Sequence, residues 1–283
     1  MNIKSVGVVG AGTMGNGIAQ VCAAAGLKVI MQDIGEAQVQ LGLETINTSM
    51  DRMIKKEKSS ESDKQQALSN IETATALEAL AEVDIVIEAA TENETLKLGI
   101  FEQLDQICKA DAILASNTSS ISLTRIAGAT QRAGQVIGMH FMNPVPMMAL
   151  VEVIRALQTD DTTYRQVHEL SEHIGKVPVE ARDSPGFVAN RILIPMINEA
   201  VYTLYEGIAS AEAIDKVMKL GMAHPMGPLA LADLIGLDTC LSVIRVLHEG
   251  FGDSKYRPCP LLQQMVDAGY LGRKSGRGFY QYD

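Results

Sequence analysis

Short apolar runs alternate with helical patterns through the first two thirds of the chain, from residue 5 to residue 182. The apolar runs predict strands at residues 6–9, 29–31, 69–74, 84–89, 112–116, 136–139, 150–154 and 178–179. Apolar positions at helical spacing predict helices between them, at residues 18–22, 35–67, 76–82, 93–108, 121–127 and 162–174. Strands and helices that alternate in this way are typical of a doubly wound, mainly parallel α/β sheet.

A different pattern follows the motif Asp183-Ser184-Pro185-Gly186, where long helical segments replace the alternation. We predict helices at residues 187–206, 211–220, 231–249 and 261–268. Ser184 can cap a helix and Pro185 can begin one, so this motif is the predicted domain junction. The sequence thus predicts an α/β domain over residues 1–184 and an all-α domain over residues 185–283.

A glycine-rich turn, GAGTMG at residues 10–15, joins the first predicted strand to the first helix. At such a turn Gly10 permits the tight bend, Gly12 lets backbone N–H groups approach a pyrophosphate, and Gly15 lets the helix pack on the strand. The next strand ends at Asp33, whose carboxylate can accept hydrogen bonds from both ribose hydroxyls of an adenosine and would repel a 2′-phosphate. This order predicts binding of NAD rather than NADP. The alternative is a structural turn followed by a surface aspartate.

Composition describes a folded chain and argues against nucleic acid as its general partner. Of the 283 residues, 47% are apolar and 20% are charged, which argues against disorder. The chain has a formal net charge of −10, whereas binding to the phosphate backbone of nucleic acids requires a positively charged surface. No apolar run reaches the ~18 residues that a membrane helix needs.

The cysteines indicate a reducing compartment. Cys22, Cys108, Cys240 and Cys259 are scattered and show no C-x-x-C spacing. Reduced, mostly buried thiols in a cytoplasmic protein are the simplest interpretation. The first predicted strand begins a few residues after Met1, so we expect no transit peptide.

Polar groups stand at or near the ends of three predicted buried strands: Ser119 in the run at residues 116–120, His140 after strand 136–139, and Glu152 within strand 150–154. Histidine suits proton transfer because its ordinary pKa lies near ~6.5. A glutamate at the far ring nitrogen would orient the imidazole and favour its charged form, and Ser119 can hydrogen-bond a reacting oxygen. The alternatives are a core histidine satisfied by backbone and a glutamate that faces water on an edge strand. No two histidines and a carboxylate share metal-ligand spacing, so we predict no metal site.

A basic cluster lies within the predicted helix 35–67 and comprises Arg52, Lys55, Lys56 and Lys58. In an acidic chain it is a candidate docking site for a phosphorylated ligand. The alternative is a solvated helix end whose cations complement the helix dipole.

Six motifs together resemble the L-3-hydroxyacyl-CoA dehydrogenase family, and most closely its single-function bacterial members that act on 3-hydroxybutyryl-CoA. They are VGAGTMGNGIAQ, ASNTSS, MHFMNPVPMMALVEV, DSPGFVANRIL, HPMGPLALADLIGLD and GRKSGRGFY, and they span nearly the whole chain. The resemblance implies a Rossmann-type domain followed by a helical domain that forms most of a homodimer interface. It also implies a cytoplasmic, NAD-dependent oxidoreductase that interconverts (S)-3-hydroxybutyryl-CoA and acetoacetyl-CoA, a step of butanoate and fatty acid metabolism.

The resemblance also assigns roles to residues. It makes His140 the catalytic acid/base and Glu152 its orienting partner, and it places Ser119 and Asn190 at the 3-oxygen and the thioester. Its cofactor contacts match Gly10, Gly12, Thr13, Met14, Gly15, Asp33, Glu92, Lys97, Asn117, Ser119, Asn143 and Lys274. Its coenzyme A contacts match Ser49 and Lys56, which favours the phosphate-docking interpretation of the basic cluster. Because Asn190 belongs to the second predicted domain, we expect the active site in the cleft between the domains.

Two alternatives stay open. A sugar-acid dehydrogenase of the L-gulonate type would keep the glycine turn and the His–Glu pair, although Ser49 and the basic cluster weigh against it. A non-catalytic NAD-binding relative would keep the fold, although the complete set of His140, Glu152, Ser119 and Asn190 argues against that.

Overall fold

The computed structural model describes residues 2–282, and the chain divides into two compact units, Met1–Asp183 and Ser184–Asp283. The first unit contains one eight-stranded sheet with helices packed on it. Its strands are β1 (Ser5–Val9), β2 (Lys28–Gln32), β3 (Ile71–Ala74), β4 (Ile85–Glu88), β5 (Ile113–Ser116), β6 (Val136–Phe141), β7 (Leu150–Arg155) and β8 (Val177–Arg182). Its α-helices are α1 (Thr13–Ala24), α2 (Glu36–Lys55), α3 (Glu61–Ser69), α4 (Glu94–Ile107), α5 (Leu123–Gly128) and α6 (Asp161–His173).

The strand order is β3-β2-β1-β4-β5-β6-β7-β8, and every neighbouring pair is parallel except β6 and β7, which are antiparallel. The predicted mainly parallel α/β fold is confirmed. Strands β4 and β5 are buried along their whole length, which explains why they read as continuous apolar runs rather than as alternating ones. The strand order reverses between β1 and β4. From β1 the chain adds β2 and β3 on one side, and it then returns to add β4 and β5 on the other side of β1. Ligands of open α/β sheets bind at the carboxyl ends of the strands beside such a point.

The single helix predicted over residues 35–67 is wrong, because the structure contains two helices there. Helix α2 ends at Lys55, and Glu57 adopts a left-handed conformation with φ of +56°. Ser60 then begins α3 with a capping box, in which its hydroxyl accepts from the backbone N–H of Asp63 and the Asp63 carboxylate accepts from the N–H of Ser60. The chain therefore turns within the basic cluster, between Lys56 and Lys58.

The second unit is helical throughout its core. Its α-helices are α7 (Ala189–Tyr205), α8 (Ala211–Gly221), α9 (Pro228–Ile235), α10 (Leu237–Phe251) and α11 (Pro260–Asp267). Two predictions are wrong in detail. Pro185 lies in a turn rather than at a helix start, so α7 begins only at Ala189. The helix predicted over residues 231–249 is broken at Gly236, whose φ of +105° ends α9 and directs the chain into α10.

No helix among residues 2–282 has both the length and the apolar character that crossing a bilayer requires.

Candidate active site

The glycine turn after β1 requires glycine at its first and last positions. Gly10 has φ of +96°, and a Cβ atom there would lie 2.8 Å from the carbonyl oxygen of Ala89. A Cβ atom on Gly15 would lie 1.7 Å from the carbonyl oxygen of Gly10, so only glycine lets α1 pack this closely on the turn. A Cβ atom on Gly12, in contrast, would meet nothing within 4 Å. Gly12 is thus the position where an incoming group can reach the backbone at the start of α1.

Asp33 follows β2 and is tied to the same turn. One carboxylate oxygen accepts a hydrogen bond from the backbone N–H of Ala11 at 2.7 Å, and the other accepts from the N–H of Ile34 at 2.8 Å. The carboxylate is therefore held beside the glycine turn, half-buried. The start of α1 carries the partial positive charge of the helix dipole, which suits a pyrophosphate. The fixed Asp33 carboxylate beside it suits the ribose hydroxyls of a dinucleotide. These residues fit the adenosine half of NAD.

His140 and Glu152 lie directly opposite each other on the antiparallel strands β6 and β7. Opposed residues of antiparallel strands point to the same face of the sheet, which brings the two side chains together. The imidazole Nδ1 lies 2.7 Å from a Glu152 carboxylate oxygen, and the two residues are 8% and 2% exposed. Strand β7 pairs with β6 and with β8, so the alternative of a water-facing glutamate on an edge strand is excluded. His140 itself lies one residue before the end of β6 rather than after it.

The loop after β5 is held by Glu92. One Glu92 oxygen accepts hydrogen bonds from the Thr118 hydroxyl at 2.5 Å, the Ser119 N–H at 3.0 Å, the Ser120 N–H at 3.1 Å and the Ser120 hydroxyl at 2.7 Å. Burial acts to raise the pKa of Glu92, but the charge of Lys97 and these hydrogen bonds outweigh it, so the pKa lies below its ordinary value. A charged Glu92 thus fixes the backbone that carries Ser119.

Lys97 lies behind this loop, on the first turns of α4. Its side chain is 1% exposed, and its ammonium lies 2.6 Å from a Glu88 carboxylate oxygen, 3.2 Å from the Ala90 carbonyl and 3.4 Å from Glu92. The Ser116 hydroxyl donates to the second oxygen of Glu88 at 2.7 Å. The Lys97 ammonium thus contacts protein groups, namely Glu88, the Ala90 carbonyl and Glu92. Its link to the loop that carries Ser119 is its ion pair with Glu92. Glu88 ends β4 at the edge of the sheet where ligands of open α/β folds bind, and although the family resemblance gives it no role, it anchors Lys97 there.

Two asparagines complete the carboxyl edge of the sheet. The side-chain oxygen of Asn117 accepts from the backbone N–H of Phe141 at 2.9 Å and so ties the loop after β5 to the end of β6. Asn143 lies in the connection from β6 to β7 and lines a cleft of about 470 Å³.

That cleft lies between α1, α2 and the segment after β6. Its lining includes three residues predicted to bind ligands, Thr13, Ser49 and Asn143, together with Arg52 of the basic cluster. Lys56 caps the end of α2 and is exposed to solvent without lining the cleft. Met14 is only partly buried and packs against the core of the unit.

The remaining predicted residues lie in the second unit. Asn190 is half-buried in the first turn of α7. Lys274 lies in a short 3-10 turn near the chain end, where its ammonium forms an ion pair with Asp238 at 2.6 Å. Burial acts to raise the pKa of Asp238, but Lys274 and the backbone hydrogen bonds lower it overall.

Both units match sequence models of one family. Residues 5–184 match "3-hydroxyacyl-CoA dehydrogenase, NAD binding domain", and residues 186–282 match "3-hydroxyacyl-CoA dehydrogenase, C-terminal domain". The chain is 56% identical over 280 residues to 3-hydroxybutyryl-CoA dehydrogenase of Bradyrhizobium diazoefficiens, which covers 99% of this chain and 96% of that protein. It is also 56% identical to a probable 3-hydroxybutyryl-CoA dehydrogenase of Bacillus subtilis, over 100% of this chain and 99% of that protein. The crystal structure of (S)-3-hydroxybutyryl-CoA dehydrogenase from Ralstonia eutropha superimposes with a TM-score of 0.97 at 60% identity, over 100% of both chains.

Proposed function

The chain belongs to the 3-hydroxyacyl-CoA dehydrogenase family, and from this premise we propose that it interconverts (S)-3-hydroxybutyryl-CoA and acetoacetyl-CoA. It is an NAD-dependent dehydrogenase. Within the structure, the observation that carries the proposal is the buried contact between His140 and Glu152 at the carboxyl edge of a dinucleotide-binding sheet.

The geometry of this pair determines which ring nitrogen does the chemistry. The Glu152 carboxylate can only accept at Nδ1, so the neutral ring carries its proton there and keeps a lone pair on Nε2. In the oxidation direction Nε2 takes the proton of the substrate 3-hydroxyl, and the adjacent carboxylate stabilises the imidazolium that forms. In the reduction direction the imidazolium returns that proton to the 3-oxygen. When bound, NAD supplies the hydride chemistry.

The other roles follow from family membership and are part of the proposal. Ser119 and Asn190 hold the substrate oxygens, while Ser49 and Lys56 contact coenzyme A. The position of Ser49 and Arg52 on the cleft supports this, because the exposed cations at the end of α2 can attract its phosphates. The cofactor contacts are assigned to Gly10, Gly12, Thr13, Met14, Gly15, Asp33, Glu92, Lys97, Asn117, Ser119, Asn143 and Lys274. For Lys97 the buried contacts favour a supporting role through Glu92.

We further propose that residues 185–283 provide substrate and dimer contacts. Large apolar side chains are exposed on the second unit, and an apolar groove of about 500 Å³ lies beside two of them, Ile208 and Val217. Exposed apolar surface of this kind is typical of a contact with another chain. Size-exclusion chromatography with light scattering tests the homodimer: we expect twice the mass of the chain, whereas a monomer at micromolar concentration would contradict it.

A cytoplasmic location is also part of the proposal. The four cysteines are free and buried, and burial raises the pKa of the Cys22 thiol to about 12. Such thiols are inert and form no disulfide, which suits a reducing compartment.

The test of the proposed function is NADH oxidation by the purified chain. We expect turnover with acetoacetyl-CoA and little with free acetoacetate, because the free acid lacks the coenzyme A part that the cleft and the basic cluster would bind. The reverse reaction with NAD should likewise proceed with 3-hydroxybutyryl-CoA and not with L-gulonate. Turnover of L-gulonate would favour the sugar-acid alternative, and no turnover of any of these substrates would favour a non-catalytic protein.

A further inference from the structure

Lys176, the residue before β8, is a buried cation. It is 8% exposed, and no carboxylate in the described part of the chain forms an ion pair with it. Burial lowers the pKa of its ammonium. A buried charge is costly unless hydrogen bonds compensate it, so its partners indicate why it is there.

Those partners are two backbone carbonyls of a single loop. The Lys176 ammonium donates to the carbonyl oxygen of Val145 at 2.6 Å and to that of Met148 at 2.8 Å. Both residues belong to residues 142–149, which we call the β6–β7 loop. This loop joins the strand of His140 to the strand of Glu152 and carries Asn143. Its residues Asn143 to Pro146 line the cleft that Ser49 and Thr13 also line.

The loop also packs against α1. Val145 is 2% exposed, and a Cβ atom on Gly17 would lie only 2.8 Å from the Val145 Cβ and 3.2 Å from its Cγ2. Gly17 therefore allows an approach that any larger residue would prevent. The β6–β7 loop is thus held both by its packing on Gly17 and by its hydrogen bonds from Lys176.

We propose that Lys176 is a positioning residue for cofactor and substrate binding, acting by fixing the β6–β7 loop and the cleft surface that it forms. The expected weaker binding of the acyl-CoA substrate rests on the proposed function. The expectations for loop structure and for NADH do not depend on the identity of the substrate.

The test compares Lys176→Met with a matched control, Arg132→Met. Arg132 is also a largely buried cation; its guanidinium pairs with the Asp105 carboxylate at 2.8 Å and donates to several backbone carbonyls, among them those of Asp105 and Cys108. It lies near the start of β5 and β6, at the amino edge of the sheet, away from the β6–β7 loop. Both variants lose hydrogen bonds from a cation to the backbone, so a general loss of stability affects both.

We expect Lys176→Met to speed hydrogen exchange at the amides of Met147 and Met148, which donate to the Pro144 carbonyl. Its Kd for NADH and its KM for acetoacetyl-CoA should rise about tenfold, the size expected for lost hydrogen bonds to a charged donor. Because His140 and Glu152 stay paired through their strands, kcat should change less than about threefold. Arg132→Met should leave the loop exchange and both affinities close to the wild-type values.

The inference is overturned if folded Lys176→Met binds NADH as the wild type does, or if Arg132→Met weakens NADH binding equally. Gly17→Ala is the second variant and decides the matter where Lys176→Met does not fold. Its added methyl group displaces Val145 and should reproduce the faster exchange and the weaker NADH binding. A wild-type chain inactive on acetoacetyl-CoA would refute the proposed substrate alone, since the NADH and exchange results would still test Lys176.

Discussion

Replacing Glu152 by Gln should lower turnover about 100-fold while leaving NADH binding nearly intact. The substitution keeps the size of the side chain but removes the charge that lies 2.7 Å from Nδ1 of His140. A hydrogen bond to a charged group contributes about 1.5–3 kcal/mol, and each ~1.4 kcal/mol corresponds to tenfold in rate, which gives a loss of roughly 10- to 150-fold. The amide can also donate to Nδ1 and so move the ring proton to Nε2, where the base is needed. That second effect places the expected loss toward the upper end of the range.

The assay is stopped-flow mixing of the enzyme–NADH complex with acetoacetyl-CoA, followed by NADH absorbance, with NADH affinity measured separately. Glu180→Gln is the matched control, because Glu180 lies on the adjacent strand β8 beside Val153 and pairs with Arg155 instead of His140. We expect the control to retain wild-type turnover. A Glu152→Gln enzyme with near-normal turnover would refute the reasoning, as would a loss equalled by Glu180→Gln.

Two further predictions concern substrate binding and acid stability. Lys56→Ala, which removes an exposed cation at the end of α2, should raise the KM for acetoacetyl-CoA more than the KM for a pantetheine-length analogue. Equal effects on both substrates would show that Lys56 is only a solvated surface residue. Asp84 accepts from Lys109 and from the backbone of Lys4 and Ser5; burial acts to raise its pKa, but these contacts lower it to about 2. A carboxyl with a lowered pKa stabilises the fold above its unfolded pKa and loses that contribution as pH falls through the folded value. The free energy of unfolding of Asp84→Asn should therefore lie below that of the wild type by a constant amount at neutral pH. The difference should shrink between about pH 4 and pH 2 in denaturant titrations, and a difference independent of pH would contradict the assignment.

The sheet and the glycine turn could be predicted because each rests on local pattern. Buried parallel strands are apolar on both faces, and the positions of Gly10 and Gly15 follow from close backbone contacts that exclude a Cβ atom. The ends of helices were harder to predict from the sequence. Glu57 ends the α2 region in a left-handed conformation that the sequence does not mark with glycine. Gly236, in contrast, was a visible signal inside an otherwise helical pattern.

Helix α4 shows a limit of periodicity. Apolar spacing predicts Leu96 on the buried face, yet Leu96 is 46% exposed and its neighbour Lys97 is buried instead. The reason lies on another element, since the buried carboxylate of Glu88 on β4 pairs with the Lys97 ammonium. A pattern within one helix carries no information about such a partner.

The sequence indicated that His140 and Glu152 could act as a pair, but it did not indicate the strand register that brings them into contact. Their separation along the chain permits many registers, and the one found depends on β7 joining the sheet antiparallel to β6. The β6–β7 loop connects these two strands, and no sequence motif indicates its contact with Lys176.

The central claim is that the imidazole of His140 transfers the proton at the 3-oxygen of the acyl-CoA substrate. Single-turnover reduction of acetoacetyl-CoA by His140→Gln, with NADH bound beforehand, tests it most directly. The account predicts a rate lower by a factor of about 100 or more, with NADH affinity within about twofold of the wild type because the glycine turn and Asp33 are unchanged. A single-turnover rate close to that of the wild type would contradict it.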